Sequence, residues 1–297
     1  MFLVPGSGNR PLGLKIAENL PCEVIDYETR RFPDGERYIR FTRDVPRDTA
    51  LVTQSLYKDP DDLLIEYTFL AKTLLSLGAK NIVGVFPYMA YLRQDNRFKP
   101  GEAISANIIS QIIESAPTSA VVTMDSHLHR IHDLSGLFQV PAVNLSAIPS
   151  LAECLKSECN LQNPVVVAPD EEAKQWANLA APVLEAESVI MQKVRRGDTS
   201  VDIDLGHVKP HGRDIVLVDD IISTGGTIAQ AAQQLKSKGA NHVHALVTHG
   251  LFVEGAFDRV SKAGVEHLIT SDTVPNQFSK VTVAPVFAKA LNEGPVT

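Results

Sequence analysis

The sequence predicts an α/β protein of two similarly built halves, each a mostly parallel sheet flanked by helices. Short β-branched runs alternate with longer segments of helical period, and this series stops and restarts once along the chain. The 297 residues, 44% hydrophobic and 21% charged, are enough for two ordinary domains with cores of their own.

In chain order, the first series reads as strands at Ala50 to Thr53, Asn81 to Phe86 and Ala120 to Met124, with helices at Asp61 to Leu77 and Ser105 to Glu114. The second has strands at Val165 to Ala168, Ile215 to Val218 and His242 to Thr248, with helices at Glu171 to Leu184 and Thr227 to Lys238. In the last helix Ile228, Ala231, Ala232 and Leu235 recur at i, i+3, i+4 and i+7, so one stripe faces a sheet. Gly239 then stands where a helix-ending glycine belongs. With no low-complexity tract and no Gly/Ser-rich linker, the boundary falls where the series restarts, near Ser146. The expected halves are 1–146 and 147–297, packed together, and similar in architecture without a sequence repeat.

Composition narrows the function. A net charge of −7, from 28 basic and 35 acidic residues, argues against a surface built to neutralise a nucleic-acid backbone. Apolar runs such as Val165 to Val167 and Ile215 to Val218 are far short of the roughly 20 residues that span a bilayer, so no membrane partner is expected. The start, Met1-Phe2-Leu3-Val4-Pro5-Gly6, lacks the pattern of a secretory signal, and a cytoplasmic protein is expected. Cys22, Cys154 and Cys159 form neither a CxxC pair nor a zinc pattern and read as reduced structural thiols.

The most informative stretch runs from Asp214 to Thr227. An apolar strand ends in Asp219 and Asp220, and a loop of hydroxyls and glycines, Ser223-Thr224-Gly225-Gly226-Thr227, opens a helix. Two glycines permit close backbone approach, and the unpaired amides of a helix start favour a phosphate. Carboxylates at the carboxyl end of a strand can accept hydrogen bonds from a sugar diol. The segment reads as a sugar-phosphate cradle. The alternative, a junction whose hydroxyls only cap the helix, leaves the paired acids unexplained.

Val218 to Thr227 resembles the phosphoribosyl-pyrophosphate-binding motif shared by type I phosphoribosyltransferases and ribose-phosphate pyrophosphokinases. Three other segments resemble the N-terminal half of the pyrophosphokinases, which the transferases lack: Phe32-Pro-Asp34-Gly-Glu36, Pro87 through Arg93-Gln94-Asp95, and Phe98 through Ala106. Thr248 to Phe252 resembles the segment that follows the family's ribose-phosphate loop. The resemblance implies two domains of type I phosphoribosyltransferase-like architecture, an N-terminal ATP-binding half and a C-terminal ribose-5-phosphate-binding half. It also implies transfer of a diphosphoryl group from ATP to ribose 5-phosphate with Mg2+, and a homo-oligomer of two or more subunits.

By the same resemblance Phe32, Asp34, Glu36, Arg93 and Gln94 would hold ATP, and Asp219, Asp220 and Ser223 to Thr227, including Gly225 and Gly226, would hold ribose 5-phosphate. Asp125-Ser126-His127 resembles the family's Asp-x-His, which places His127 by the metal and the reacting phosphates, with Asp170 as a second metal residue. The nearby His129 and His132 could belong to a transition-metal turn, but hard phosphates favour magnesium, and these two read as structural or solvated. Lys193-Val194-Arg195 resembles the start of the family's catalytic loop, where two cations would stabilise the transferring group. A solvated basic hairpin is the bland alternative, since Arg196 continues the run.

One segment departs from the pattern. Pro169-Asp170-Glu171-Glu172-Ala173 stands where the family commonly has Pro-Asp followed shortly by glycine, and carboxylates facing a diphosphate would repel it. The rival readings are therefore a non-catalytic regulatory homologue, favoured by Glu171 and Glu172, and a phosphoribosyltransferase. Glutamates turned outward would leave the site intact. Trp176, the only tryptophan, reads as a packing residue.

Overall fold

Val165-Val-Val-Ala168 and Ile215-Val-Leu-Val218 are apolar at every position and fully buried, as strands covered on both faces must be. The computed structural model describes residues 1–128, 133–196, 200–204 and 208–294, and at 192–196 and 200–204 the backbone alone. The first part of the chain comprises β1 (Phe2–Pro5), α1 (Arg10–Glu18), β2 (Glu23–Val24), β3 (Tyr27–Arg31), β4 (Arg37–Phe41), β5 (Thr49–Thr53), α2 (Pro60–Ser76), β6 (Asn81–Phe86), α3 (Ser105–Ser115), β7 (Ala120–Met124) and β8 (Ala142–Leu145). A parallel sheet forms in the order β2-β1-β5-β6-β7-β8, while β3 and β4 make a separate antiparallel hairpin.

The rest comprises α4 (Ile148–Glu158), β9 (Val165–Ala168), α5 (Lys174–Val183), β10 (Glu187–Ile190), β11 (Gln192–Arg196), β12 (Ser200–Asp204), β13 (Ile215–Ile222), α6 (Gly226–Ser237), β14 (Val243–Gly250), α7 (Ala256–Lys262), β15 (His267–Ser271), β16 (Ser279–Val281) and α8 (Ala284–Glu293). Its sheet runs β10-β9-β13-β14-β15-β16, again parallel, with β11 and β12 as a separate antiparallel hairpin. Both sheets are therefore wound alike, with the hairpin inserted at the same point.

Strand alternation divides each core into two layers. Phe2, Val4, Ala50, Val52, Ile82 and Val121 point to one face of the first sheet, where they pack with Leu63, Tyr67 and Leu70 of α2 and Ile109 and Ile113 of α3. In the second sheet Val165, Val167, Ile215, Leu217, Val243, Ala245 and Val247 meet Ile228, Ala232 and Leu235 of α6 and Val260 of α7. On the other faces α1 lies against β1, and α4 and α5 lie against β14 and β13. Among the described residues no helix is long and apolar enough to cross a membrane.

Contacts divide the chain into one unit of Met1–Leu145 with Thr282–Thr297 and another of Ser146–Val281. The expectation that everything beyond 146 belongs to the second half thus fails at α8, which packs on α1 in the first unit. Its apolar stripe, Ala284, Phe287, Ala288 and Leu291, is buried there. Of the boundaries that move, two bear on the paired acids and the glutamates. β13 continues past the paired acids to Ile222, because Ile221 and Ile222 pair with His249 and Gly250 of β14. α5 begins at Lys174, so Glu171 and Glu172 sit in the preceding turn and not in the helix.

Candidate active site

In the second unit, the carboxyl ends of β9 and β13 bring three acids together. Asp219 is partly buried, and Asp220 is fully buried with its backbone amide donating to the Asp219 carboxylate at 3.0 Å. Burial first, then the charges of Asp220 and Asp170, push the Asp219 carboxyl well above the usual carboxylate range. Asp170 follows β9 and accepts from the Ala173 amide at 3.2 Å, which fixes the turn. Three like charges so close call for a cation or for donors from a ligand.

Beyond β13 the loop turns on Gly225, which caps α6 with a left-handed φ of +77° and no side chain. A Cβ there would come within 2.8 Å of Val260 Cγ2 and 3.1 Å of the Ala256 carbonyl oxygen, so only glycine fits. Thr224 and Gly226 are exposed, Ser223 and Thr227 half-buried. A hydroxyl-lined loop leading into the amide end of a twelve-residue helix has the donors to seat a phosphate. Sequence reasoning missed Arg259, whose guanidinium donates to the Thr224 carbonyl while Val253 donates to the Ser223 carbonyl at 3.0 Å. Lying 35 positions from Thr224, Arg259 had no local signal.

Glu171 is exposed and its carboxylate meets Lys174 at 3.2 Å; Glu172 is exposed as well. Trp176 is buried as a packing residue. The Lys193 and Arg195 backbones lie on β11, opposite Ile203 and Val201 of β12, and their side chains fall outside the described residues.

In the first unit the β3–β4 hairpin carries Phe32, Asp34 and Glu36 at its tip. The Phe32 amide donates to the Glu36 carbonyl at 2.8 Å, the Glu36 amide to the Asp34 carboxylate at 3.2 Å, and Gly35 supplies the positive φ of the turn. Phe32, 37% exposed, meets Tyr38 edge-on at 5.8 Å, with the Arg30 guanidinium 4.6 Å above its ring. The hairpin is braced on α2. Arg31 and Arg37 both grip Asp62, whose carboxyl is held below its ordinary range first by the hydrogen bond from Arg31. Arg37 also meets the fully buried Glu66 at 3.0 Å, and Glu66 accepts hydrogen bonds from Ser7 and Tyr27. This brace, absent from the motif reading, holds the hairpin tip that carries Phe32.

Arg93 is exposed in the segment after β6, and Gln94 anchors the start of α3, accepting from the Ala106 amide at 3.3 Å. His127 follows β7, the neighbour of β6 in the sheet. The turn before it is set by Asp125, buried with φ +37°, and by the Ser126 amide donating to the Asn144 side chain at 3.0 Å. His129 and His132 lie outside the described residues.

Residues 1–116 match the model for the N-terminal domain of ribose phosphate pyrophosphokinase, and residues 139–271 match the phosphoribosyl transferase domain. A ribose-phosphate pyrophosphokinase of Methanothermobacter thermautotrophicus is 37% identical over 98% of this chain and 100% of its own length. The chain belongs to the ribose-phosphate pyrophosphokinases. A pyrophosphokinase of Methanopyrus kandleri is 36% identical, covering 98% of each chain. The crystal structure of phosphoribosylpyrophosphate synthetase from Mycobacterium smegmatis superposes with a TM-score of 0.87 over 98% of this chain and 97% of that one, at 27% identity. Members of this family are enzymes, and the two sheets described above are its two domains.

Proposed function

We propose that this chain transfers the diphosphoryl group of ATP to the anomeric hydroxyl of ribose 5-phosphate, yielding phosphoribosyl pyrophosphate and AMP, the reaction for which its family is named. The observation that carries the reading is the convergence of Asp170, Asp219 and Asp220 beside the glycine-capped start of α6. The first amides of α6 and the hydroxyls of Ser223, Thr224 and Thr227 bind the 5-phosphate, and Gly226 keeps the approach clear. Asp219 and Asp220 hold the ribose hydroxyls. In the first unit Phe32 stacks on adenine, Asp34 and Glu36 read its polar edge, and Arg93 and Gln94 grip phosphate oxygens.

The carboxylate oxygens of Asp170 suit Mg2+, and His127 stands by the metal and the reacting phosphates. Bound magnesium would neutralise phosphate charge. The sugar oxygen attacks the β-phosphorus, the bond from that phosphorus to the α-phosphate oxygen breaks, AMP departs, and the hydroxyl proton passes to solvent. Lys193 and Arg195 on β11 stabilise the charge that builds on the transferring group. Glu171, exposed and paired with Lys174 at 3.2 Å, supports catalysis over a regulatory role. The enzyme works as a homo-oligomer in the cytoplasm.

Incubation with ATP, ribose 5-phosphate and Mg2+ is expected to release AMP in step with phosphoribosyl pyrophosphate, and EDTA to abolish it. ADP with a singly phosphorylated sugar would overturn the diphosphoryl assignment. Lys193→Ala is expected to lower kcat by about two orders of magnitude, the scale for losing a transition-state charge stabiliser, with ribose 5-phosphate binding little changed.

A further inference from the structure

The second sheet carries a group of ligands at its opposite end. His244 stands near the start of β14 and His267 at the start of β15, and the two are register partners on adjacent parallel strands. Such partners project from the same face of a sheet about 4.8 Å apart at the backbone. Their rings lie 5.2 Å apart. That face is the one packed by α4, whose C-terminal cap is Cys159. One ligand atom from each of Cys159, His244 and His267 lies within 4.8 Å of the other two.

His244 is 3% exposed, yet its Nδ1 is buried without any hydrogen-bond partner. An orphaned imidazole nitrogen in a core costs free energy unless something meets it, and core packing alone does not call for that nitrogen. Cys159 and His267 are only partly buried, and Cys159 lines an open groove of about 560 Å3.

We propose that Cys159, His244 and His267 form a three-ligand site for a zinc-class divalent metal ion, tying the end of α4 to β14 and β15. A thiolate with two imidazoles is the donor set of a borderline-soft ion, not of magnesium. Across a tetrahedral zinc, bonds of 2.0–2.3 Å put ligand atoms about 3.3–3.6 Å apart, so the three groups close in by roughly an ångström. Binding releases the Cys159 thiol proton to solvent. The fourth position faces water or Glu158, whose carboxylate lies 3.9 Å from His267 Nδ1 and is held at 2.6 Å by Lys280.

The test uses the full-length chain stripped by chelator and titrated with Co2+. One equivalent is expected to give a thiolate-to-cobalt charge-transfer band with tetrahedral d–d absorption, and excess Zn2+ to erase both. Cys159→Ser, at a partly exposed position, removes the band and weakens Zn2+ in chelator competition at least tenfold. His267→Gln weakens it comparably, and Cys154→Ser leaves it unchanged. Zn2+ is expected to raise the Tm of the parent by several degrees and that of Cys159→Ser by none. Oxygen ligands at the ribose-phosphate end give no thiolate band, so the readout is independent of catalysis. The proposal falls if the band is absent at one equivalent, survives in Cys159→Ser, or disappears in Cys154→Ser.

Discussion

Under the proposed function, Phe32 separates binding from folding. Its ring is 37% exposed at a hairpin tip whose stability comes from backbone bonds and from arginines gripping α2. Phe32→Ala is therefore expected to leave the Tm within about one degree while raising the KM for ATP roughly tenfold, since stacking a base on an aromatic ring is worth about 1–3 kcal/mol. Steady-state kinetics with a melting curve check both halves of the statement. Asp219 makes the opposite trade. Its pKa is raised in the folded protein by burial, then by Asp220 and Asp170, so its ionised form opposes folding above the unfolded value of about 3.9. Asp219→Asn keeps an oxygen for the Asp220 amide and removes a repelled charge. It should gain about 1 kcal/mol of stability at pH 8, a gain that vanishes as pH falls below about 4, while ribose 5-phosphate binding is lost. A stability gain that persists at pH 3 would point to a cause other than charge. Both residues were visible in the sequence because they lie inside contiguous motifs. Arg259, Glu66 and the trio of Cys159, His244 and His267 were not, because only the fold brings them to their partners.

Three strands buried on both faces were legible to the residue. Asn81–Phe86, Ala120–Met124 and Val165–Ala168 are strands as read, because continuous apolar runs have one solution in a covered parallel sheet. The β3–β4 hairpin escaped the reading: β3, Tyr-Glu-Thr-Arg-Arg, is mostly exposed and has no apolar face to betray a period of two. β13 overran its expected end because the paired acids read as a stop, whereas pairing with β14 carries the strand to Ile222. At the junction of β13 and α6, Gly225 bears the constraint. Gly225→Ala forces a positive φ on a residue with a Cβ that meets Val260 and the Ala256 carbonyl, at a cost of about 1–3 kcal/mol. The loop must shift to relieve it, so ribose 5-phosphate affinity should fall at least tenfold while ATP binding to the first unit stays within twofold. Calorimetric titration of each substrate separately checks this, and an equal loss for both would mean a global defect.

At the scale of the whole molecule the two sheets share one winding order, but the chain does not divide cleanly in the middle. The helix after the last strand of each sheet is counted with the other unit, α4 with the second and α8 with the first. Nothing local announces this, since α8 follows β16 after only two residues and carries an ordinary amphipathic stripe. The consequence is that stability of the first sheet depends on α8. Phe287 is fully buried on α8, and truncating such a ring costs about 3–5 kcal/mol. In full-length Phe287→Ala, hydrogen exchange is expected to quicken about a hundredfold or more for the amides of α1, β1 and β5. β13 and β14, which lie in the other unit, should keep their protection, because units with separate cores open with separate free energies. Equal quickening in β13 and β14 would show that the two units unfold as one, whereas loss confined to the first sheet would show that the C-terminal helix serves the N-terminal domain.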